Sequence, residues 1–382
     1  MTRLHTSGWP SLAAVSALAV LAACGTSSAP GSSPSGSSPR AAPAASLTVE
    51  LDWVPNPDHV GFYYAQTKGY FARQNLTVTF RVPSSAADPL KLVGLNKADL
   101  AVSYEPEMFY GQQERLPVIA VAAVVPIPLN GLIVSPEIPI TSLCQISGHS
   151  VGFTGVPSDY AFYNTLLHTC HLSAKQIPAQ AVGYNLVPSI LSGKVDAIIG
   201  GYRNVEAIQI GQEMNKRTTD FPANTLGVPA YDELVLVANA RRLASDSAYA
   251  SAVRRFVAAL ATGTNAAMRN PAGATTIMQT VSQYKPSFLR VSVPYTLKLL
   301  AQNTMMKTGC MSLTAWRSFG AWMKAHKLIH ETPNASAIMT DKYLPYPSCL
   351  TGIGSAPHYS LPDPRALIGP GAAGFLAYSP AR

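Results

Sequence analysis

The sequence lacks several features that would assign a function at once. After Leu21, no apolar run is long enough to cross a bilayer. The net charge is +8, from 28 basic and 20 acidic residues, but the basic residues are scattered in short clusters such as Arg241-Arg242. They form no continuous stripe interleaved with aromatic residues, and no P-loop pattern occurs. These absences argue against a later membrane span, a nucleic-acid partner and a P-loop nucleotidase.

Histidines and cysteines are too dispersed in the sequence for a metal site. His168 and His171 form the closest histidine pair after residue 23. No neighbouring carboxylate or cysteine quartet completes a set of metal ligands around them. We therefore expect no metal, no cofactor and no catalytic residue.

The first residues read as a lipoprotein signal peptide, predicted over 1–23. Arg3 gives a short basic start, and Leu12 to Leu21 is an apolar stretch too short to span a bilayer. Leu21-Ala22-Ala23-Cys24 is a lipobox, in which the Cys24 thiol takes the lipid after cleavage. The acyl chains would hold the protein at the outer face of the cell membrane. Residues 24–46, rich in Ser, Ala, Pro and Gly, predict a flexible tether.

The remaining four of five cysteines form an even set in a chain predicted to be exported. Disulfides are the expected state of cysteines in an oxidising compartment. Four cysteines allow three connectivities. We favour Cys144–Cys170 and Cys310–Cys349, because each of these pairs stays within one proposed structural segment.

A strand, a tight loop and a helix organise the start of the folded region. Leu47–Leu51 alternates apolar and polar residues, as a half-buried strand does. Asn56 followed by Pro57 predicts a helix start, with a side-chain cap and a ring preset to helical φ. Gly69 predicts the end of that helix.

Polar and aromatic side chains gather where this first strand ends. In open α/β folds ligands bind beyond the carboxyl ends of the strands. Asp52, Trp53, Asn56 and His59 occupy that position and supply a carboxylate, an aromatic face and an amide. Together they predict a site for a flat heterocycle that forms hydrogen bonds.

The chain repeats one plan of alternating strands and helices, which predicts the α/β class with parallel sheets. We expect two lobes joined by two hinge crossings. Lobe 1 would comprise 47–134 and 238–350, and lobe 2 would comprise 135–237. The crossings would be the extended apolar segments 132–134 and 234–237. The tail 351–382, rich in Pro, Gly and Ala, is expected to be disordered.

The opening motif also carries a resemblance. The run Leu-Asp-Trp-x-Pro-Asn at 51–56, with His59, Gly61 and the later Lys68-Gly69-Tyr70-Phe71, resembles substrate-binding proteins of ABC importers for thiamine pyrimidine precursors. The similarity covers roughly residues 47–329. Eukaryotic pyrimidine synthases share the fold. One departure is Pro57-Asp58, where a small polar pair is expected.

This resemblance implies a two-lobed periplasmic-binding-protein type II fold that closes by a hinge around a small aminopyrimidine. It also implies an ABC permease and its ATPase as partners of a monomeric binding protein. We also expect further ligand contacts after the other strands and, at Glu233, near the return crossing between the lobes. The candidates are Tyr104, Glu105, Tyr184, Asn185, Tyr202, Asn204, Glu206 and Glu233. Glu206 in particular would accept two hydrogen bonds from an aminopyrimidine, and a charge-assisted bidentate pair is stronger than a neutral one.

Three alternatives remain open at this stage. The ligand can be riboflavin or another flat heterocycle, whereas sulfonate or nitrate fits the acidic candidates less well. The protein can be an enzyme like the pyrimidine synthases, which use pyridoxal phosphate and an iron site rich in cysteine. It can also be a tethered sensor. A neighbouring gene for a permease or for a membrane kinase would separate transport from sensing.

Overall fold

The computed structural model describes residues 42–302, 306–349 and 376–378. The predicted signal peptide, Cys24, most of the tether and most of the tail lie outside these described residues. No helix in the described part of the chain has the length and apolar character that a bilayer crossing requires. The described chain contains two mixed sheets with helices packed against them.

The first sheet has five strands in the order β2-β1-β3-β10-β4. Its strands are β1 (Ala45–Glu50), β2 (Leu76–Arg81), β3 (Leu100–Ser103), β4 (Val118–Val125) and β10 (Leu234–Asn239). The first three run parallel, and β10 is inserted antiparallel between β3 and β4. The second sheet has the order β11-β9-β5-β8-β6-β7. Its strands are β5 (Gly131–Val134), β6 (Val151–Phe153), β7 (Ala179–Ala181), β8 (Ala197–Ile198), β9 (Thr218–Pro222) and β11 (Leu376–Tyr378).

Thirteen α-helices are found in the described residues. They are α1 (Val60–Thr67), α2 (Tyr70–Arg73), α3 (Pro89–Gly94), α4 (Glu105–Gln113), α5 (Pro157–Thr169), α6 (Leu186–Leu191), α7 (Glu206–Met214), α8 (Ala240–Ser245), α9 (Ser247–Arg269), α10 (Pro271–Val281), α11 (Pro286–Ala301), α12 (Leu313–Ala325) and α13 (Ala335–Ile338). Two short 3-10 turns cover Pro57–His59 and Leu143–Ile146.

The α/β class is confirmed, but the lobe boundaries differ from the sequence-based prediction. The segments 132–134 and 234–237 are strands inside the sheets and not crossings between them. β5 pairs antiparallel with β8 and β9 and so belongs to the second sheet, while β10 belongs wholly to the first. Both strands are fully buried, and an extended apolar segment looks the same in sequence whether it crosses or pairs. The crossings therefore lie earlier, between β4 and β5 and between β9 and β10.

Two local predictions at the chain start hold in the structure. The Asn56 side chain accepts a hydrogen bond from the Asp58 backbone N–H at 2.8 Å, and Pro57 is the first residue of the turn that leads into α1. Gly69 has φ +70°, a left-handed conformation that glycine adopts at little cost. The strand itself begins two residues early, at Ala45, within the predicted tether.

The structure confirms both favoured disulfides. Cys144 joins Cys170 with 5.2 Å between the Cα atoms, and Cys310 joins Cys349 with 5.6 Å. Helix α11 starts at Pro286 and continues through Pro294, although proline removes a hydrogen bond inside a helix.

Candidate functional site

A narrow cavity lies between the two sheets, where the carboxyl ends of β1, β3, β6 and β8 converge. It encloses about 480 Å³ of space between atoms, counting the part that opens to solvent. Its wall is formed by Asp52, Trp53, Asn56, Tyr104, Pro106, Asn130, Thr154, Val156, Ser158, Asp159, Phe162, Gly200, Tyr202, Glu206, Tyr231 and Glu233. Both sheets and both crossings contribute residues, as expected of a ligand site in a two-lobed fold.

Two side chains hold Asp52 in place on the first-sheet wall. His59 Nδ1 accepts the Asn56 backbone N–H at 3.3 Å, so His59 Nε2 carries the hydrogen. That Nε2–H donates to Asp52 Oδ1 at 2.7 Å, and the Tyr104 hydroxyl donates to Asp52 Oδ2 at 3.2 Å. The turn that caps α1 therefore also fixes the orientation of the carboxylate facing the cavity.

On the second-sheet wall, Asp159 and Glu206 each stand in the first turn of a helix, where a carboxylate is favoured by the helix dipole. Asp159 Oδ2 accepts from the Thr154 backbone N–H at 2.9 Å and from the Thr154 hydroxyl. Glu206 Oε2 accepts from the Tyr202 backbone N–H at 2.7 Å. Each carboxylate is thus held by its own loop.

Gly200 explains why the second-sheet loop needs glycine. Its φ is +89°, and a Cβ built there would lie 2.7 Å from Asp159 Oδ1 and 2.8 Å from a Thr154 methyl carbon. A side chain at this position would therefore displace the loop that orients Asp159. Glycine at this position allows the loop after β8 to pack closely against Asp159 and Thr154.

Glu233 links the cavity to both crossings between the sheets. Its Oε2 accepts from the Leu129 and Asn130 backbone N–H groups at 2.6 and 2.9 Å, which belong to the crossing before β5. The same oxygen accepts from the Tyr231 hydroxyl at 2.8 Å, in the crossing before β10. One carboxylate thus ties the two hinge segments together at the cavity wall.

The wall of the cavity is acidic and holds no basic partner. Asp52, Asp159, Glu206 and Glu233 line it, whereas none of its lining residues is Lys, Arg or His. Burial raises the pKa of Asp159, Glu206 and Glu233 to about 7 each, with hydrogen bonds from their loops offsetting part of the effect. Such a site favours a ligand that donates hydrogen bonds and disfavours an anion.

Seven of the twelve predicted ligand-binding residues line this cavity. They are Asp52, Trp53, Asn56, Tyr104, Tyr202, Glu206 and Glu233. The other five lie outside its wall. They are His59, Glu105, Tyr184, Asn185 and Asn204.

Each of the five has a structural place that explains its position. His59 stands behind Asp52, as described above. Glu105 turns away from the cavity and accepts from the Asp232 backbone N–H at 2.7 Å. Tyr184 packs edge-on against Trp53 with 4.2 Å between ring centroids and lines a wider neighbouring groove. Asn185 precedes the first residue of α6.

Asn204 is fully buried and joins the two sides of the molecule. Its Nδ2 donates to Asp58 Oδ1 at 2.7 Å and to the Thr296 hydroxyl at 2.8 Å. The lobes meet again where the Ser158 backbone N–H donates to Glu107 Oε1 at 3.0 Å. Asn204 was predicted from its place after β8, but that loop turns it toward α11 and not into the cavity.

Several wall residues were not among the predicted site residues. Asn130, Thr154, Ser158 and Asp159 reach the cavity from the second-sheet side and the first crossing. The signal for three of them was available, because the loop after β6 and the start of α5 repeat the strand–loop–helix plan of the opening motif. Applying the same strand-end rule to both halves would have found them.

The spacing Gly148-x-Ser150-x-Gly152 resembles a nucleophile elbow, and the structure shows that it is not one. An elbow places the serine between a strand and a helix. Ser150 instead precedes β6, and its hydroxyl donates to Asp196 Oδ2 at 3.0 Å. In the described part of the chain, no three His, Cys, Asp or Glu side chains cluster so as to hold a metal ion.

Comparison with known protein families identifies the family of this chain. Residues 56–274, more than half of the chain, match the model of the family described as NMT1/THI5 like. The chain belongs to the NMT1/THI5-like family. The matched region starts at the Asn56 cap and includes the cavity residues of both sheets from Asn56 onward.

Curated relatives of this NMT1/THI5-like chain include binding and biosynthetic proteins. A Haemophilus influenzae protein named for thiamine biosynthesis is 37% identical over 243 residues, covering 64% of this chain and 74% of the relative. A formylaminopyrimidine-binding protein of Halalkalibacterium halodurans is 35% identical over 193 residues, covering 50% and 58%. A Saccharomyces cerevisiae 4-amino-5-hydroxymethyl-2-methylpyrimidine phosphate synthase is 30% identical over 157 residues, covering 40% and 45%.

Solved structures show the same fold at lower identity. The alkanesulfonate-binding protein of Xanthomonas axonopodis matches with a TM-score of 0.57 and 14% identity, over 78% of this chain and 99% of that one. The aliphatic sulphonate-binding protein of Escherichia coli matches with 0.58 and 11%, over 83% and 97%. The family member described here therefore has the periplasmic-binding-protein fold, consistent with type II.

Proposed function

We propose that this protein is the extracytoplasmic solute-binding component of an ABC importer and that it binds a thiamine-related aminopyrimidine. The observation that carries the proposal is the acidic cavity, whose four carboxyl-bearing wall residues have no basic neighbour in the wall. An aminopyrimidine protonated on a ring nitrogen supplies ring and exocyclic N–H donors that match such acceptors. The relative named for binding a formylaminopyrimidine supports the same ligand class.

The fold neighbours named for sulfonates offer a useful contrast. A sulfonate is an anion, and in this cavity it would meet Asp52, Asp159, Glu206 and Glu233 without a neutralising side chain. Like charges at close range in a buried site repel strongly. We therefore expect this chain to share the fold of the sulfonate-binding proteins but not their ligand.

Binding would combine stacking with directed hydrogen bonds. Trp53 on the first sheet and Tyr202 on the second border the cavity and present aromatic faces to a flat ring. Glu206 then accepts from the protonated ring nitrogen and from the exocyclic amine of the ligand. Since the walls belong to different sheets, the ligand is enclosed by closure about the crossings tied by Glu233.

Binding is favoured over synthesis by the state of the cysteines. The resemblance to pyrimidine synthases implies an iron site rich in cysteine. Here the four cysteines that follow Cys24 are all held in the two disulfides. No thiol among them is left to ligate iron. Disulfides also agree with a protein that works outside the cytoplasm.

Mass spectrometry of the small molecule that copurifies with the native protein tests the ligand class. We expect an aminopyrimidine, released unchanged when the protein is denatured. A flavin or an organosulfonate in its place would contradict the proposal. Pyridoxal phosphate together with bound iron would instead support the synthase alternative.

The lipid anchor is a separate part of the proposal and has its own test. The lipobox ending at Cys24 motivates it. Replacing Cys24 by Ala removes the thiol that accepts the lipid, so the protein should move from the membrane fraction to the soluble fraction. Unchanged detergent partitioning of this variant would argue against lipidation.

A further inference from the structure

Asp58 and Asn204 form a buried contact across the cleft, behind the ligand cavity. Asp58 lies in the turn after β1 and Asn204 in the loop after β8, so they come from the two different sheets. They are 2% and 0% exposed, and Asn204 Nδ2 donates to Asp58 Oδ1 at 2.7 Å. The Ser292 hydroxyl on α11 also donates to the backbone carbonyl of Asn204.

Each partner in this contact keeps one oxygen without a hydrogen bond. Asp58 Oδ2 and Asn204 Oδ1 are both buried and have no partner among the described residues. An ionised carboxylate and an amide oxygen are both acceptors only. Leaving a buried acceptor unsatisfied is costly, and two on neighbouring side chains require an explanation.

We propose that Asp58 carries a proton in this arrangement and donates it from Oδ2 to Asn204 Oδ1, so that closing the two lobes takes up one proton. The carboxylic acid then accepts from the amide N–H and donates to the amide oxygen, and both unpartnered atoms are satisfied. This latch rests on the hinge closure in the proposed function. It lies at Pro57-Asp58, where the chain departs from the resembled family's pattern.

The surroundings of Asp58 favour the neutral form. The pKa of Asp58 is raised from 3.8 to about 7, chiefly by burial, and the nearby carboxylates of Asp52 and Glu206 act in the same direction. The Asn204 hydrogen bond and His59 act in the opposite direction. The hydroxyls of Tyr202 and Tyr284 are the other ionisable groups that interact electrostatically with Asp58.

The direction of the pH effect follows from this. In an open protein Asp58 is hydrated and returns toward its ordinary pKa of 3.8. The closed state then binds the proton more tightly than the open state. The contribution of the Asp58–Asn204 contact to ligand affinity is therefore complete below about pH 4. It declines by up to about tenfold per pH unit as pH rises to about 7 and is constant above that.

The D58N variant separates the latch from a merely structural acid. An amide at this position donates to Asn204 Oδ1 at every pH and keeps the shape of the side chain. With 4-amino-5-hydroxymethyl-2-methylpyrimidine as probe, the variant should bind at least about tenfold more tightly than wild type at pH 8. The ratio of the two affinities should approach one near pH 4. Equal or weaker binding by D58N at pH 8 would overturn the latch.

Two further readouts use whatever molecule copurifies with the native protein to hold the lobes closed, so they do not depend on the ligand class in the proposed function. In thermal unfolding of these closed proteins, the advantage of D58N over wild type should grow from pH 4 to 7 and then stay constant. Infrared difference spectra of wild type minus D58N at pH 6 should contain a protonated carboxyl band, which Asn204→Ala should shift. Absence of that band, or a band unmoved by Asn204→Ala, contradicts the latch. Failure of the probe to bind either protein contradicts only the proposed function.

Discussion

Two buried carboxyl groups in the second sheet and its loops differ in whether a cation lies beside them. Asp220 in β9 is paired with Arg203, whose Nη2 lies 2.7 Å from Asp220 Oδ2, and both side chains are almost fully buried. Glu206, three residues after Arg203, faces the cavity and has no cation beside it in the wall. The fold can therefore place a buried cation in this very loop, yet it gives none to the cavity.

That difference indicates what the cavity carboxylates are for. A buried carboxylate without a cation is costly to ionise, which is why burial raises the pKa of Glu206 to about 7. Arg203 offsets part of the same effect of burial at Asp220, whose pKa stays above its ordinary value. We infer that the carboxyl groups of the cavity are left without a cation for a ligand that brings its own donors. Four substitutions probe this comparison.

Arg203→Met would turn the paired carboxylate into an unpaired one and should have the largest effect. Removing one partner of a buried ion pair leaves an uncompensated charge and costs about 3–5 kcal/mol. Urea unfolding at pH 8 measures this loss. The double variant with Asp220→Asn is the matched control and should recover much of the stability. A loss of stability below about 1 kcal/mol would show that Arg203 does not stabilise Asp220, and the difference from the cavity carboxyl groups would then have no energetic basis.

Glu206→Gln should change stability and affinity in opposite directions. The pKa of Glu206 rises from 4.5 to about 7 on folding, so its favourable contribution is complete below pH 4.5 and is lost as pH rises to about 7. At pH 8 the variant should therefore be more stable by on the order of 1–3 kcal/mol. Its affinity for an aminopyrimidine should fall about tenfold or more, because a charged acceptor is lost.

Unfolding and calorimetry on the same Glu206→Gln preparation make the comparison. A variant that is less stable at pH 8 but binds normally would show that Glu206 is structural. Thr154 offers no equivalent test, since its hydroxyl holds Asp159 in place.

Trp53→Leu should weaken binding without regard to the pattern of donors on the ring. Stacking of aromatic faces contributes about 0.5–1.5 kcal/mol and is not directional in the way hydrogen bonds are. The variant should lose a similar factor for an aminopyrimidine and for any other flat ring that binds. Calorimetry with both ligands checks this, and a loss confined to one ring type would assign Trp53 a directional role. Part of the loss can come from the Tyr184 contact, so Tyr184→Leu is the control.

Lys216→Ala should have the smallest effect on stability, because it removes an ion pair that is exposed to solvent. Lys216 and Glu137 form an ion pair at 2.8 Å, with side chains 53% and 57% exposed. Exposed pairs contribute about 1 kcal/mol or less because water and salt screen them. Unfolding in low and high salt should show little change. A loss comparable to that of Arg203→Met would mean that burial does not decide the difference.

The sequence predicted those features that depend on local chemistry. The Asn56 cap, the Pro57 turn and the left-handed Gly69 follow from residue type alone, and the structure has them. The two disulfides followed from an even cysteine set and nearness in sequence. The rule that ligands meet strand ends found six of the residues in the cavity wall, and Glu233 was predicted from its place near the return crossing.

Features that depend on the direction of a side chain were not predictable. His59 and Asp52 lie in one loop, yet only Asp52 faces the cavity, because His59 turns back to accept the Asn56 N–H. Asn204 follows a strand as Tyr202 does, but α11 packs on that loop and captures it. The roles of β5 and β10 were equally hidden, since pairing partners are not encoded in an apolar run.

The central claim is that an acidic cavity selects a hydrogen-bond donor over an anion. Titration calorimetry of the ligand-free protein at pH 7 with 4-amino-5-hydroxymethyl-2-methylpyrimidine, riboflavin and an alkanesulfonate tests it most directly. We predict that the aminopyrimidine binds at least about tenfold more tightly than riboflavin and that the sulfonate shows no measurable binding. Tightest binding by the sulfonate would contradict the assignment of the Asp52, Asp159, Glu206 and Glu233 cavity.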